Sequence, residues 1–261
     1  MTKPNIVLIL NDDMGYSDIG CYGGEIDTPN LDRLAANGLR FSQFYNTARC
    51  SPSRASMLTG LHPHQTGVGI LTYDSGPEGY AGNLNHRCIT IPQALKGNGY
   101  KSYMSGKWHV ASSLTKPTDT WPLQRGFDEF FGTIIGAGSF YDPNTLTRGN
   151  ETVEHEARAN SAFFYTDAIS DQAVAYIDKH QRETPGTPFF TYVAYTAPHW
   201  PLHARDEDIA RYHGTFDEGW DILRERRMKR LREFGILDDS AALSDRDPTQ
   251  PAWSDVEYKD W

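Results

Sequence analysis

Cys50-Ser51-Pro52-Ser53-Arg54 sets a thiol, two hydroxyls and a guanidinium within five residues, and Ala55-Ser56-Met57-Leu58-Thr59-Gly60 follows. Proline is tolerated in the first turn of a helix, so this spacing predicts Cys50 at or just before a helix N-terminus. That end of a helix carries partial positive charge and unpaired N–H groups, which favour an anion. Arg54 comes four residues later, on the same helix face, where its guanidinium can fork two oxygens of an oxyanion. Taken alone, an arbitrary C-x-P-x-R reads more simply as a buried, capped cysteine beside a surface arginine. The rest of the chain has to decide between the two readings.

Three other clusters follow candidate strands. Asn5-Ile6-Val7-Leu8-Ile9-Leu10 is a short apolar run rich in β-branched residues, which predicts a central strand of a parallel sheet, buried on both faces. It stops at Asn11-Asp12-Asp13. Adjacent carboxylates at the carboxyl end of a buried strand lie where open α/β sheets place ligands. Their mutual repulsion favours a bound cation over the alternative, a loop of solvated acids. A second strand, Tyr100 to Met104, leads to Lys107 and His109, two apart and so on one side of an extended segment. A third, Pro188 to Ala194, leads to His199 between Pro198 and Pro201. Carboxylates suit Ca²⁺ or Mg²⁺ rather than zinc. A cation together with Arg, Lys and His is what a tetrahedral oxyanion needs as its charge moves during transfer. His62 and His64 are also paired, but Pro63 and the nearby glycines predict a loop there and no ligation.

The intervening sequence supplies the scaffold. Thr28 to Gly38 has a capping threonine, proline at the first helical position and a closing glycine, with Leu31, Leu34 and Ala35 as its buried stripe. Leu39 to Tyr45 alternates as a strand does and delivers the chain to Cys50. Thr90 to Lys96 reads as a short helix. Residues 111–160 read as a long irregular excursion over the sheet edge, a rim on which Trp121, Phe140 and Tyr141 stack on a substrate ring or enter the core. Ala168 to His180 is a helix with Ile169, Ala173, Tyr176 and Ile177 as its stripe and Thr166 or Asp167 as its cap. Asp217 to Phe234 is another, with Trp220, Leu223, Leu231 and Phe234 on one face. Its basic run from Arg224 to Arg232 reads as a solvated face. Asp238 to Trp261 is polar, with little to bury. No clean linker divides the chain into domains.

The composition limits the function classes. The chain has 261 residues, 38% of them hydrophobic, and a formal charge of −9, which argues against nucleic acid as a partner. Cys21, Cys50 and Cys88 are too few, and odd in number, for a disulfide framework. No apolar run approaches a membrane span, so no membrane partner is expected. No targeting signal is seen. The expected location is cytoplasmic, or periplasmic or secreted if a signal has been removed.

Together these segments resemble the type I sulfatases, in the arylsulfatase branch of the alkaline-phosphatase-like superfamily. The likeness rests on Pro4-Asn5-Ile6 through Asn11-Asp12-Asp13-Met14-Gly15, Thr28-Pro29-Asn30-Leu31-Asp32, Cys50-Ser51-Pro52-Ser53-Arg54 with Leu58-Thr59-Gly60, Gly106-Lys107-Trp108-His109, and Ala197-Pro198-His199-Trp200-Pro201. It runs from about residue 4 to about residue 235, and five motifs in order make it specific. The fold this implies is α/β, with a mostly parallel central sheet flanked by helices. The activity it implies is hydrolysis of a sulfate monoester on a small molecule or sugar.

The resemblance also implies roles. Cys50 is converted by a separate maturation enzyme to Cα-formylglycine. One hydroxyl of the hydrated aldehyde attacks sulfur and displaces the alcohol, and the second drives release of sulfate. Asp12 and Asp13 bind Ca²⁺ (Mg²⁺ as the alternative), with the oxygen derived from Cys50 near the metal. Arg54 holds the formylglycine, Lys107 contacts the sulfate, and His109 orients the diol or takes its proton. His199 contacts the sulfate and protonates the leaving oxygen. The same motifs are compatible with a phosphonate or phosphodiester hydrolase of the superfamily, or with an anion-binding fragment of weak activity.

The family pattern departs after His199. Its further Asp-Asn metal pair and second sulfate-binding lysine have no counterpart here, and Asp238, Asp239 and Asp245 do not follow a buried strand. Residues 1–261 are therefore expected to be the N-terminal portion of a sulfatase catalytic domain, with an incomplete sheet, weak Ca²⁺ binding and little turnover alone.

Overall fold

Strand β6 (Phe189–Ala194) is buried along all six residues, because β1 (Ile6–Leu10) pairs with one edge of it and β2 (Lys101–Gly106) with the other, both in parallel. In this computed structural model, which describes residues 3–257 and Lys259, the sheet has six strands in the order β1-β6-β2-β3-β4-β5. β3 (Glu129–Thr133) continues in parallel, and β4 (Leu146–Arg148) and β5 (Glu151–Thr152) add an antiparallel margin. The mostly parallel α/β sheet expected from sequence is present.

Side chains alternate across the sheet and feed two cores. On one face Met104, Phe130, Phe190 and Tyr192 pack with Ala55 and Leu58 of helix α2 (Cys50–Thr59), with Trp108, Trp121 and Phe127 filling in around them. On the other face Tyr103, Phe189 and Val193 pack against Ile169, Ala173 and Tyr176 of helix α6 (Tyr165–Glu183). The stripe expected between Ala168 and His180 is the one used, although Ile177 is only partly buried. The helix begins earlier, and Phe164 rather than Thr166 or Asp167 takes the cap position.

Several expectations are corrected. β1 is an edge strand, not a central one: Ile6, Leu8 and Leu10 pack on the first core, while Val7 and Ile9 are half exposed. Leu39 to Tyr45 forms no strand and is exposed, since no neighbouring strand supplies hydrogen-bond partners to an isolated extended segment. Residues 111–160 are not one irregular excursion, because they contribute β3, β4 and β5 and the short helix α5 (Glu154–Arg158). Trp121 and Phe140 are core residues, and Tyr141 is exposed. In helix α1 (Pro29–Asn37) Leu34 is exposed, and Thr28 makes no side-chain cap; its hydroxyl accepts from Gly20 N and donates to Asp32. Pro63–Thr66 is a four-residue helix, α3, where a loop was expected. Helix α4 (Ile91–Lys96) carries a Thr90–Gln93 capping box.

The chain folds as two compact units. One comprises residues 1–13 and 46–203 and contains the whole sheet. The other comprises residues 14–45 and 204–261, with α1, α7 (Asp206–Arg211) and α8 (Gly219–Glu233). Its segments are separated in sequence, which is why no single linker marks the division. Within it the basic run of α8 is not a free solvated face. Arg227 pairs with Asp18 and Glu25, Arg230 donates to the carbonyls of Gly23 and Gly24, and Arg224 donates to Ser244. Arg227 and Arg230 are thus engaged within the unit, while Lys229 remains 77% exposed. Met1, Thr2, Tyr258, Asp260 and Trp261 lie outside the described residues. No helix among the described residues is long and apolar enough to cross a membrane.

Candidate active site at the carboxyl ends of three parallel strands

Parallel strands deliver their C-terminal loops to one edge of a sheet, and β1, β6 and β2 do so in adjacent register. Backbone bonds lock the three loops together. Tyr195 N donates to Leu10 O, Asp12 N to Ala197 O, and Lys107 N to Ala194 O, at 2.8–3.0 Å. Gly106 makes this approach feasible. Its φ is +114°, and a Cβ there would lie 2.0 Å from Ala194 O.

A buried layer forms first. Arg54, on the first core's side of α2, is 1% exposed. It donates to Lys107 O at 3.0 Å, to the Tyr192 hydroxyl at 3.2 Å and to Tyr195 O at 3.3 Å. Its guanidinium also stands 3.5 Å from Asp12, and the fully buried Lys107 ammonium pairs with the same carboxylate oxygen. Two cations thus share one carboxylate out of solvent. Burial, with Arg54 adding repulsion, holds the Lys107 pKa below its ordinary value, and Asp12 opposes that shift.

A second layer opens to solvent. Asp13, Arg49, Cys50, His109 and His199 line a cavity of about 400 Å³ whose remaining wall includes Leu71, Ile135, Gly136 and Ala137. Cys50 is the first residue of α2, as its proline spacing predicted. The cap residue before it, Arg49, makes no side-chain cap, which leaves the Cys50 and Ser51 N–H groups uncapped; Pro52 has no N–H, and Ser53 N donates to Arg49 O. Asp13 turns away from Asp12 through a left-handed backbone (φ 60°) and stands 3.5 Å from His199 Nε2. His199 Nδ1 lies 2.6 Å from Trp200 O; a carbonyl only accepts, so Nδ1 carries a proton and Nε2 faces the cavity side.

His109 does not follow the extended geometry expected of it. Its φ is +51°, so it does not share one side with Lys107 as an extended segment would have it. Its imidazole lies over Gly136, where a Cβ would come within 2.1–2.4 Å of three ring atoms. Burial, then repulsion from Lys107, Arg54 and His199, drives its pKa down to about 2. The ring is therefore neutral throughout the working range. Its Nδ1 and Arg54 Nε are buried without a hydrogen-bond partner among the described residues.

The structure thus brings Asp12, Asp13, Cys50, Arg54, Lys107, His109 and His199 into one unit, but in two layers, and Lys107 and Arg54 are not among the cavity-lining residues. Cys50 reaches the site from an irregular segment, not from a strand. Tyr192, Gly136 and Arg49 were not singled out in the sequence. Tyr192 reads as strand core, Gly136 is one glycine in a glycine-rich stretch, and Arg49 precedes the motif without belonging to it. His62 and His64 belong to no group of three or more metal-ligating side chains among the described residues. Asp238, Asp239 and Asp245 belong to the other unit. A larger cavity of about 800 Å³ in that unit, lined by Cys21, Asp32 and Arg40, contains none of the strand-end groups.

The family model described as Sulfatase matches residues 4–248. The arylsulfatase of Klebsiella aerogenes is 36% identical over 252 residues, covering 92% of this chain and 53% of its own length. A crystal structure of Ps i-CgsB superposes with a TM-score of 0.69 at 32% identity, over 89% of this chain and 55% of that one. A structure of BT4656 in complex with its substrate D-glucosamine-2-N,6-O-disulfate gives a TM-score of 0.60 at 27% identity, over 82% and 38%. The chain spans about half the length of the curated relatives it matches.

Proposed function

The chain belongs to the sulfatase family, and from that membership we propose that its strand-end site hydrolyses sulfate monoesters, with Cys50 as the nucleophile position. The observation that carries this reading is the shared cavity of Cys50, His109, His199 and Asp13 at the N-terminus of α2. A maturation enzyme acting on Cys50 is part of the proposal. The formylglycine it would leave there supplies a hydrated aldehyde, one hydroxyl of which displaces the ester alcohol at sulfur while the other later releases sulfate.

The chain's own residues do the rest. The Cys50 and Ser51 N–H groups at the start of α2 bind sulfate oxygens, and the Asp12–Lys107–Arg54 layer adds positive charge close by. Neutral His109 accepts a hydrogen bond or proton at the nitrogen it presents to the diol. His199 Nε2 passes a proton to the leaving oxygen, with Asp13 stabilising the charged ring. Leu71, Ile135 and Ala137 exclude water from one side of the leaving group.

The donor chemistry at Asp12 and Asp13 fits a hard divalent cation such as Ca²⁺, which takes about 6–8 oxygens. Asp12 and Asp13 would hold it together with the oxygen derived from Cys50, and it would act as a Lewis acid. The fit is partial. One Asp12 oxygen is already engaged by Lys107 and Arg54, and no group of three acidic, histidine or cysteine side chains suited to a metal occurs among the described residues.

Co-expression with a formylglycine-generating enzyme, followed by intact-mass analysis, tests the assignment. Replacement of the Cys50 CH₂SH by CHO, with sulfate released from 4-nitrophenyl sulfate faster than phosphate from 4-nitrophenyl phosphate, is expected. Modified Cys50 with the opposite preference would favour the phosphoester alternative. Modified Cys50 with no release from either ester would overturn the reading.

A further inference from the structure

His203 closes the loop that carries His199, and nothing in the proposed chemistry uses it. Its Nδ1 accepts a hydrogen bond from Phe140 N at 3.2 Å. A backbone N–H only donates, so Nδ1 is the bare nitrogen of this imidazole. The ring also packs edge-on against Phe140, with centroids 5.8 Å apart, and against Tyr141 at 5.3 Å. Phe140 is itself a core residue, and its carbonyl accepts from Tyr165 N at the start of α6. The imidazole is therefore seated on a fixed part of the molecule.

Two segments of the open cavity meet at this contact. One is the wall, Ile135 to Ala137, which runs on to Phe140. Its near end is fixed by the N–H groups of Ile134 and Ile135, which both donate to Thr145 Oγ1, at 3.1 and 3.0 Å. The other segment is the His199 loop. It leaves β6 tied by Asp12 N to Ala197 O and by His199 N to Thr196 O, and His203 N donates to Pro201 O at 2.7 Å where it ends. Between these ties the Trp200 and Leu202 side chains are largely exposed, so the far end of the loop rests on His203. Trp200 O, three residues before His203, is the carbonyl that keeps the proton on His199 Nδ1 and leaves Nε2 to the cavity side. Where that carbonyl stands depends on where the loop is pinned.

Resting on the sulfate-ester reading, we propose that His203 is a positioning residue: by clamping the His199 loop to the cavity wall through Phe140 N, it holds His199 Nε2 where the leaving oxygen must meet it. His203 is not among the cavity-lining residues and takes no part in the bond-breaking step.

Two substitutions separate the hydrogen bond from the packing. His203→Asn keeps an acceptor at the Nδ1 position and loses the ring, while His203→Phe keeps an aromatic ring and loses the acceptor. Amide exchange and histidine NMR are read first, on the chain with Cys50 left as the thiol. Wild type and His203→Asn are expected to protect the Phe140 amide and to show His199 as a single Nδ1–H tautomer. In His203→Phe that amide is expected to exchange about tenfold faster and the His199 signals to shift, with those of His180 unmoved as the sign of an intact fold. In matured protein, His203→Phe is expected to slow an alkyl sulfate about tenfold to a hundredfold more than 4-nitrophenyl sulfate, and His203→Asn to restore the wild-type ratio to within about threefold. Unmoved His199 signals or an unmoved ratio in His203→Phe, or His203→Asn as impaired as His203→Phe, overturns the assignment of His203 and leaves the sulfate-ester reading standing. If matured wild type releases sulfate from neither ester, the sulfate-ester reading falls, and the His199 signals alone decide whether His203 holds that loop.

Discussion

Asp12 is buried between Lys107 and Arg54, while Asp13, the next residue, turns through a left-handed backbone into an open cavity beside His199. The two layers of the site draw on the same residue types, carboxylate and cation, and use them differently. In the buried layer every charge has a fixed partner, and the backbone bonds between the β1, β2 and β6 loops leave it little freedom. In the open layer the contacts are fewer: Asp13 is 58% exposed and meets His199 at 3.5 Å, and the Arg49 side chain has no partner among the described residues. Buried charges without partners are too costly to keep, so the inner layer is bound to be structural whatever else it does. The outer layer is where groups remain available for exchange with a ligand. It follows that loss of the inner layer should appear as unfolding, and loss of the outer layer as failed chemistry in a folded protein.

The largest expected effect comes from removing the shared carboxylate. Asp12→Ala strands two buried cations, and breaking a buried pair in this way costs about 3–5 kcal/mol. Asp13→Ala removes an exposed carboxylate and should change stability by under ~1 kcal/mol. Urea denaturation of both variants checks the contrast, and equal losses would erase the distinction between layers. Gly136→Ala is the next largest. Its new methyl would overlap the His109 ring, and forced repacking of that kind costs about 1–3 kcal/mol. Histidine NMR should show the His109 signals shifted and those of His180 unmoved. His180 is held separately by Tyr103 and Thr187.

Much of this arrangement is legible in the sequence because it is local. Proline at the third position of α2 and glycine after it define where Cys50 stands, and the apolar runs before Asp12, Lys107 and His199 define strands that end there. What is not legible depends on distant partners. The run from Ile6 to Leu10 reads alike at the centre or edge of a sheet, since its apolar residues do not reveal how many neighbours it has. β4 and β5 are three and two residues long, too short to leave a period. Leu39 to Tyr45 has the alternation of a strand without a partner to pair with. The separation of Asp12 from Asp13 is set by Lys107, 95 residues away from Asp12, and by a positive φ at an aspartate that no spacing rule announces. The basic residues of α8 looked solvated because their acidic and carbonyl partners lie some two hundred positions earlier.

His109 tests the boundary between layers, since it lines the open cavity yet feels both buried cations. Above its ordinary value of 6.5 the ring is neutral in folded and unfolded chains alike. Below that, the unfolded chain takes up a proton that the folded chain refuses until about pH 2, so stability falls as pH drops through this window. One such group contributes a slope of up to ~1.4 kcal/mol per pH unit. His109→Gln should therefore flatten the acid limb of the stability profile between about pH 6.5 and 4, relative to wild type. An unchanged limb would place His109 in ordinary solvent and dissolve its link to the buried cations.

The smallest stability effect is expected at His199, and it is the sharpest test of the outer layer. Its contact with Asp13 is 3.5 Å long, and the aspartate side chain is 58% exposed. Pairs of this sort contribute about 0–1 kcal/mol. His199→Ala should therefore unfold within ~0.5 kcal/mol of wild type. On the proposed role of His199 as proton donor to the leaving oxygen, the same variant in matured protein should slow esters with poor leaving groups far more than 4-nitrophenyl sulfate, whose phenolate departs with little help. The ratio of the two rates is the readout, because simple structural damage would lower both together. A His199→Ala variant that is strongly destabilised, or that loses both activities equally, would move His199 into the structural layer with Asp12.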